Sequence, residues 1–268
     1  ARQGADVNFI SRVGQDTFGD MARSIFQAEG MREDFVSADP ERPTGTASIV
    51  VDDASGENAI VIVPGACNNL TEADVDAASE AIAGSALFMS QLELPMAVCR
   101  HGIALARQHG VPVLVNPAPA MELPRDLYPD IDYITPNETE ASALVGWPLT
   151  TMEQVASAAS TLHRWGVKNV LITLGERGVF VSSPDFEGVI PALKVAKVVE
   201  TTGAGDAFNG GLAAALAEGQ TLANAARFGN VVAGLSVTRA GAAVSMPTRK
   251  EVEQALKEQP VETANFKQ

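Results

Sequence analysis

The sequence has few cysteines, histidines and aromatic residues. Among its 268 residues are 2 cysteines, 3 histidines and 5% aromatic residues. Cys67 and Cys99 do not have the spacing of a metal-ligand set and are too few for a disulfide framework. The histidines show neither ligand spacing nor the context of a catalytic triad. We therefore expect two free thiols, and a reducing, cytoplasmic location.

Basic residues and long apolar runs are also scarce. The 19 Lys and Arg residues face 33 Asp and Glu residues, for a formal net charge of −14. Nucleic acids and anionic membrane surfaces attract clustered basic residues, so neither is an expected partner. No apolar run reaches membrane-spanning length, and the first residues lack the basic-then-apolar pattern of a signal peptide. With 46% hydrophobic residues, the chain is predicted to form one domain over 1–268.

Short apolar runs alternate with segments of helical periodicity, which predicts an α/β fold with a mostly parallel sheet. A polar turn at Asp52–Glu57 joins two β-rich runs, Thr46–Val51 and Asn58–Val63, into a predicted hairpin. The other predicted strands are Val7–Ile10, Leu87–Ser90, Val113–Val115, Ile131–Ile134, Val170–Thr173 and Val179–Val181. The predicted helices are Phe18–Glu29, Thr71–Ile82, Met96–His109, Glu138–Val145, Met152–Trp165, Ala204–Ala217, Leu222–Thr238 and Thr248–Lys257.

The segment Val198–Gly211 carries the strongest functional signal. It begins as an apolar, β-branched run that predicts a strand, passes through Gly203-Ala204-Gly205, and opens into a predicted helix. Unpaired N–H groups and the helix dipole make such a helix start a binding site for anions such as phosphate. Asp206 follows in the first turn, where it could cap the helix or accept a proton from a bound hydroxyl. A capped helix after a glycine turn is the simpler interpretation of the spacing alone.

The string from Thr202 to Gly211 resembles the C-terminal signature of the ribokinase family of carbohydrate kinases. This resemblance implies a three-layer α/β/α ribokinase-like fold with a small β lid at 46–63. It implies that Gly203, Ala204 and Gly205 form an anion hole for the transferring phosphoryl group. It also implies that Asp206 is the general base and a sugar contact.

Asn137 and Glu140 lie three residues apart after the predicted strand Ile131–Ile134. The spacing is typical of a helix capping box. It also resembles the family's Asn-x-x-Glu element, which implies that both residues hold a hydrated Mg²⁺ against the nucleotide. Mg²⁺ keeps several waters and needs few protein ligands, so the two interpretations are compatible.

Two further segments resemble the family's nucleotide site. Thr173-Leu174-Gly175-Glu176-Arg177-Gly178 is an ordinary β-turn by its dipeptide chemistry. The resemblance implies that Thr173, Gly175 and Gly178 let ATP approach the backbone. Asn137 also matches an ATP contact, and Asn230 matches a position near the adenine.

The resemblance also implies a sugar contact at Glu93 and a monovalent cation site. The loop from Ser236 to Pro247 is a helix exit that, in this family, wraps K⁺ together with residues before the Gly-Ala-Gly turn. The implied K⁺ residues are Glu200, Thr202, Ser236, Arg239, Gly241 and Ser245.

Three departures accompany the resemblance. The segment Ala1–Val7 resembles the end of the family's first helix, so we expect the preceding N-terminal segment, with part of the sugar site and the lid, to be absent from this chain. The remaining lid hairpin would then have unpaired edges that favour association, for example as a homodimer. Glu200 stands where the family usually has Asp, and Cys67 where Asn is more common.

Together these observations predict an ATP-dependent kinase that phosphorylates the primary hydroxyl of D-ribose, with Mg²⁺ and K⁺ as cofactors. The same chemistry on fructose, deoxyribose or a nucleoside is one alternative. A nucleotide-binding protein without kinase activity is another. A dinucleotide-binding oxidoreductase is disfavoured, because no Gly-x-Gly-x-x-Gly follows an early strand.

Overall fold

The computed structural model of this chain describes residues 1–51 and 58–259. The chain divides into two compact units. The first comprises Ala1, Asp6–Gly84 and Glu93–Gly102, and the second comprises Arg2–Ala5, Ser85–Leu92 and the residues from Ile103 onward. The expectation of one kinase domain therefore stays a prediction. The predicted hairpin turn at 52–57 lies outside the described residues.

The first unit contains a parallel strand pair and an antiparallel hairpin. Its elements, in chain order, are β1 (Ser11–Gly14), α1 (Thr17–Ala28), β2 (Val36–Asp39), β3 (Thr46–Val51), β4 (Asn58–Val63), α2 (Glu72–Asp76) and α3 (Ser79–Ala83). Strands β1 and β2 pair in parallel, while β3 and β4 form the predicted hairpin with the predicted bounds.

A partly buried charge network links β1, β2 and α2 in the first unit. The Arg12 guanidinium lies 2.8 Å from Asp74 and 3.5 Å from Asp39, which is only 2% exposed. The N–H groups of Glu41 and Arg42 and the amide of Asn69 donate to Asp39, and these bonds lower its pKa to about 2. Buried charges persist in proteins when they are paired and hydrogen-bonded in this way.

The second unit carries the main sheet and most of the helices. Its elements are β5 (Phe88–Ser90), α4 (Met96–Gln108, shared with the first unit), β6 (Val113–Val115), β7 (Tyr133–Ile134), α5 (Glu138–Val145), α6 (Met152–Arg164), β8 (Asn169–Thr173), β9 (Val179–Ser182), β10 (Glu187–Ile190), α7 (Ala204–Ala217), α8 (Leu222–Ser236) and α9 (Arg249–Glu258). None of the described helices combines the length and apolarity needed to cross a membrane.

Over the residues that the structure describes, the sheet has six strands in the order β10-β9-β8-β7-β6-β5. Strands β5 to β8 run parallel, whereas β9 is antiparallel to both of its neighbours, β8 and β10. Val113, Leu114 and Val115 of β6 are completely buried, as expected for a parallel strand whose two faces are both covered. The predicted mostly parallel α/β sheet is confirmed. The carboxyl ends of four parallel strands consequently meet at one edge, where ligands bind in folds of this kind.

Helices α7 and α8 pack against each other at very short range. A Cβ atom on Gly211 would lie 2.7 Å from Cγ2 of Val232, and one on Gly229 would lie 2.8 Å from the Phe208 carbonyl oxygen. Only glycine permits this approach. It fixes the position of the middle of α7 against α8.

Three sequence predictions about elements are wrong in part. The first strand begins at Ser11 rather than spanning Val7–Ile10, where only an isolated bridge from Asn8 to Arg32 forms. The helix predicted at 71–82 is two short helices, and no single residue in the structure explains the break. The strand predicted before the Gly-Ala-Gly turn is irregular, because the N–H groups of Val199 and Glu200 both donate to one carbonyl, that of Val237. Strands β2 and β10 were not predicted.

Candidate active site

Backbone and side-chain hydrogen bonds join the loops that follow β5, β6 and β7. The Asn116 N–H donates to the Ser90 carbonyl at 2.9 Å, and its Nδ2 donates to the Thr135 carbonyl at 2.9 Å. The Thr173 N–H donates to the Pro136 carbonyl at 2.9 Å. These bonds hold the carboxyl ends of the parallel strands together as the floor of the candidate site.

Asn137 and Glu140 form the capping box that their spacing predicts. The Asn137 N–H and Nδ2 donate to the two Glu140 carboxylate oxygens at 2.8 and 2.9 Å, and the Glu140 N–H donates to Asn137 Oδ1 at 2.8 Å. Asn137 also forms an isolated bridge with Thr173, so two of the predicted ATP residues are neighbours. Burial raises the pKa of the Glu140 carboxyl, the Asn137 N–H lowers it, and the negative charge of Asp206 raises it further.

The first turn of α7 presents unpaired N–H groups. Gly203 precedes the helix in the left-handed conformation, with φ of 74°, and provides no side-chain cap. The Ala204 N–H donates to the Thr201 carbonyl at 3.1 Å. The N–H groups of Gly205 and Asp206 have no partner among the described residues. They point along the positive end of the helix dipole, which is the arrangement that binds anions.

Asp206 places a carboxylate beside these N–H groups. Its side chain is exposed, yet the surrounding protein removes enough water to raise its pKa. Its charge also acts on Glu140 at the start of α5. Two helix N-termini and two carboxylates therefore converge here, so that a proton acceptor lies next to donors for an anion.

Gly178 and Asn230 both contact the backbone at Ile190 and Pro191. A Cβ atom on Gly178, which has φ of 98°, would lie 2.1 Å from the Ile190 carbonyl oxygen. Asn230 of α8 is buried, and its Nδ2 donates to the carbonyls of Ile190 and Pro191 at 2.8 and 3.1 Å. Two predicted ATP residues from distant parts of the sequence thus pack on either side of the segment after β10.

A family model described as pfkB family carbohydrate kinase matches residues 1–249. The chain belongs to this family of carbohydrate kinases. Among its curated relatives, the ribokinase of Haemophilus influenzae is 41% identical over 251 residues, which cover 94% of this chain and 81% of that protein. The deoxyribokinase of Salmonella typhimurium is 33% identical over 96% of this chain and 83% of its own length.

Solved structures show the same relationship. The ribokinase of Arabidopsis thaliana in complex with ribose and ATP superposes with a TM-score of 0.90 at 32% identity, covering 96% of this chain and 83% of its own. The predicted ribokinase-like fold is therefore confirmed. The resemblance drawn from short motifs extends over nearly the whole length of this pfkB-family chain.

The two segments predicted to wrap a monovalent cation come together in this pfkB-family chain. The Gly241 N–H donates to the Glu200 carboxylate at 2.8 Å, and a Cβ atom on Gly203 would lie 3.7 Å from the Ala242 Cα atom. The hydroxyls of Ser236 and Ser245 are buried and donate to carbonyls three residues earlier.

Arg239, another of the predicted cation residues, pairs instead with Glu251 of α9. The longer Glu200 side chain, noted as a departure from the family, still reaches across to the opposite loop. Cys67, the other departure, lies in a turn where its thiol donates to the Arg12 carbonyl at 3.5 Å.

Glu93, the predicted sugar contact, is exposed and belongs to the first unit, so its role stays a prediction. The Asp206 N–H is a candidate anion donor that is not among the predicted ones, whereas the predicted donor at Ala204 is paired with the Thr201 carbonyl. The signal was available, because the first several N–H groups of any helix lack partners four residues earlier. The electrostatic link between Glu140 and Asp206 had no sequence signal, since 66 positions separate them.

Proposed function

We propose that this pfkB-family chain transfers the γ-phosphoryl group of ATP to the primary hydroxyl of D-ribose, giving ribose 5-phosphate and ADP. The observation that carries the proposal is the position of Asp206 in the first turn of α7, beside the unpaired N–H groups of Gly205 and its own backbone. Close relatives that are ribokinases support ribose as the sugar.

In the proposed reaction, an Asp206 carboxylate oxygen accepts the proton of the sugar hydroxyl. The hydroxyl oxygen then forms a bond to the γ-phosphorus while the bond from that phosphorus to the leaving oxygen breaks, releasing ADP. The N–H groups of Gly203, Gly205 and Asp206 bind the negative charge on the transferring group. Phosphoryl transfer depends mainly on positioning and electrostatics, so one base and a set of backbone donors suit it.

ATP would lie along the strand ends that hold Thr173, Gly175 and Gly178, with Asn137 near the phosphates and Asn230 near the adenine. The bridge between Asn137 and Thr173 supports this arrangement, because it places the phosphate side and the nucleotide turn next to each other. The Arabidopsis ribokinase, which was solved with ATP, supports ATP as the phosphoryl donor.

Mg²⁺ would be held through its water molecules by Asn137 and Glu140. Both Glu140 oxygens already accept a hydrogen bond from Asn137, but each carboxylate oxygen can accept more than one. Water-mediated contact therefore fits this pair better than direct coordination. The metal, when bound, would neutralise charge on the nucleotide phosphates.

K⁺ would be held between the loop at Glu200–Thr202 and the loop at Ser236–Ser245. Neutral oxygens dominate these loops, and the hydrogen bond from Gly241 to Glu200 brings them together. Arg239 and Gly241 complete the proposed set, although the Arg239 guanidinium faces Glu251. This donor set suits a large monovalent cation better than a small divalent one.

The proposed function is tested by measuring ADP formation from ATP and Mg²⁺ with D-ribose, D-fructose and deoxyribose, each with and without K⁺. The assay uses this chain and a longer chain beginning with the expected N-terminal segment. We expect ribose-dependent ADP formation that stops when Mg²⁺ is removed and slows without K⁺. A faster rate with deoxyribose would instead favour the specificity of the Salmonella relative. ATP binding without turnover in either chain would favour the nucleotide-binding alternative.

We also propose a cytoplasmic location and a homodimer formed through the β3–β4 hairpin. Neither Cys67 nor Cys99 forms a disulfide within the described part of the chain, which suits a reducing compartment. Val61, Ile62 and Val63 of β4 are 60%, 51% and 54% exposed, and exposed apolar side chains on an open hairpin favour association.

The dimer prediction is checked by the substitution Ile62→Lys. We expect sedimentation equilibrium to give a dimer mass for the unaltered chain and a monomer mass for the variant. Lys250→Ile on α9 serves as the control for a change in charge and should leave the mass unchanged. A monomeric unaltered chain, or a dimeric Ile62→Lys variant, would contradict the prediction.

A further inference from the structure

The first turn of α7 is held differently from the first turns of α1, α5, α6, α8 and α9. These five helices have a side-chain cap: Asp16 for α1, Asn137 for α5, Thr151 for α6, Thr221 for α8 and Thr248 for α9. At α7 the cap residue is Gly203, which has no side chain to offer, and the turn contains a second glycine, Gly205. Glycine weakens a helix, so this turn is prone to fray.

Asn209 makes a different bond to this turn from inside the helix, because it donates to a carbonyl where a cap would accept from an N–H. Its Nδ2 donates to the Gly205 carbonyl at 3.0 Å, and its side chain is 5% exposed. The opposite amide orientation would place two carbonyl oxygens against each other, so the donor must face Gly205. The Asn209 Oδ1 atom is buried and has no partner among the described residues.

We infer that Asn209 is a positioning residue for phosphoryl transfer, acting through the peptide unit between Gly205 and Asp206. The Gly205 carbonyl and the Asp206 N–H belong to that one rigid unit. A bond that fixes the carbonyl therefore fixes the direction of the N–H that would bind the transferring group. It also fixes the backbone from which the Asp206 carboxylate extends. The inference rests on the proposed function for its effect on rate.

Stability alone does not explain an asparagine at this position. Its neighbours on α7, namely Ala207, Phe208 and Leu212, are buried and apolar. An unpaired buried carbonyl oxygen is more unfavourable than one neutral hydrogen bond is favourable. Leucine has nearly the same shape and carries no polar atom. Asparagine at position 209 is therefore less favourable for stability than leucine would be. This points to a role for its Nδ2 donor in the candidate site.

The test compares Asn209→Leu, Asn209→Ala and Asn209→Ser, using the chain that shows ribose-dependent turnover. Serine in a helix can donate to the carbonyl four residues earlier, so it restores the bond to Gly205 at the size of alanine. We expect kcat to fall about 10- to 100-fold in the Leu and Ala variants. The Ser variant should retain kcat within about threefold of the unaltered chain. KM values for ATP and ribose should stay nearly constant, because the buried Asn209 side chain would contact neither substrate.

Asn169→Ala is the matched control, because Asn169 is also buried and its Nδ2 donates to a backbone carbonyl, that of Asp132, at 2.9 Å. This variant should lower the melting temperature and leave kcat unchanged. Asn209→Leu should do the opposite and lower kcat while the melting temperature holds or rises. Unaltered kcat in Asn209→Leu, equal rates in the Ser and Ala variants, or a rate loss that only follows the melting temperature would each overturn the inference.

Amide hydrogen exchange tests, without any substrate, whether the bond from Asn209 to Gly205 orders the first turn of α7. We expect the N–H groups of Phe208 and Asn209 to exchange about tenfold faster in Asn209→Ala than in the unaltered chain, and Asn209→Ser to restore the slower exchange. If no form of the chain phosphorylates a sugar, the proposed function fails, and this measurement still decides whether Asn209 orders the turn. Equal exchange rates in the unaltered chain and in Asn209→Ala would overturn the inference that Asn209 orders this turn.

Discussion

Asp206→Asn is expected to lower kcat by about 10²- to 10⁴-fold, the contribution of a positioned general base. Asparagine keeps the size of the side chain and cannot accept the proton of a sugar hydroxyl at neutral pH. The N–H groups of Gly205 and Asp206 belong to the backbone and stay in place, so ATP should bind with nearly unchanged affinity. Steady-state kinetics measures the first effect, and calorimetric titration with ATP measures the second.

Asp185→Asn is the control for loss of one negative charge. Asp185 lies in the turn between β9 and β10, at the end of the sheet opposite to Thr173, and is exposed. Its replacement should change neither kcat nor ATP affinity. An Asp206→Asn variant with a rate near that of the unaltered chain would remove Asp206 from the role of base.

The pH dependence follows from the raised pKa of Asp206. Loss of water to the surrounding protein moves this pKa above the 3.8 of a free aspartate, so kcat/KM should fall on acidification at a higher pH than a free carboxyl would give. The charged form is the disfavoured one in the folded chain. It therefore lowers stability above the folded-state pKa, and this loss disappears as the pH falls to 3.8. Solvent around the exposed side chain keeps the effect on stability small.

Gly178→Ala is expected to lower the free energy of unfolding by about 4 kcal/mol or more, which is exceptional for one methyl group. A Cβ atom there would lie 2.1 Å from the Ile190 carbonyl oxygen and 2.6 Å from the Ala192 nitrogen. Both contacts are with backbone, so no side-chain rotation relieves them. The φ of 98° and ψ of −132° add strain, since this region is open only to glycine. Urea denaturation measures the loss from the midpoint at constant m.

Gly175→Ala provides the comparison within the same turn. Gly175 also has a positive φ, 59°, but a Cβ atom there would meet no atom of the described residues within 4 Å. We expect a stability loss of only about 1–2 kcal/mol, the cost of a left-handed alanine. If ATP lies against this turn, the open space is where the nucleotide approaches, so Gly175→Ala should raise the KM for ATP about tenfold. Equal stability losses in the two variants would contradict this division of roles.

Much of the second unit was predictable from sequence, because its segments combine strong periodicity with clear boundary residues. The bounds of β6, α5 and α7 agree with the prediction at both ends. In α5, Asn137 starts the helix and Gly146 ends it with φ of 87°, so local chemistry decides both limits. The family motifs lie at strand ends and helix starts, where backbone geometry determines which residues fit.

The first unit was less predictable, because non-local contacts decide its elements. β2 ends at Asp39, a buried carboxylate that a strand pattern does not favour and that is stabilised by Arg12 and Asn69. In α1, Phe18, Met21 and Ile25 are 55%, 53% and 44% exposed, although their helical spacing is typical of a buried face. Periodicity locates a helix, but it does not indicate whether other residues pack against its apolar face.

The sequence by itself determined the α/β class, the glycine turn before α7 and the residue types able to bind phosphate and accept a proton, because these depend on local backbone chemistry. Only the tertiary structure decided which of them meet. Asn137 forms a bridge with Thr173, the charge of Asp206 raises the pKa of Glu140, and the Asn209 amide donates to the Gly205 carbonyl. These arrangements depend on strand order and close helix packing, which bring together residues that are distant in the chain or that share a helix face, and local sequence carries no direct signal for them.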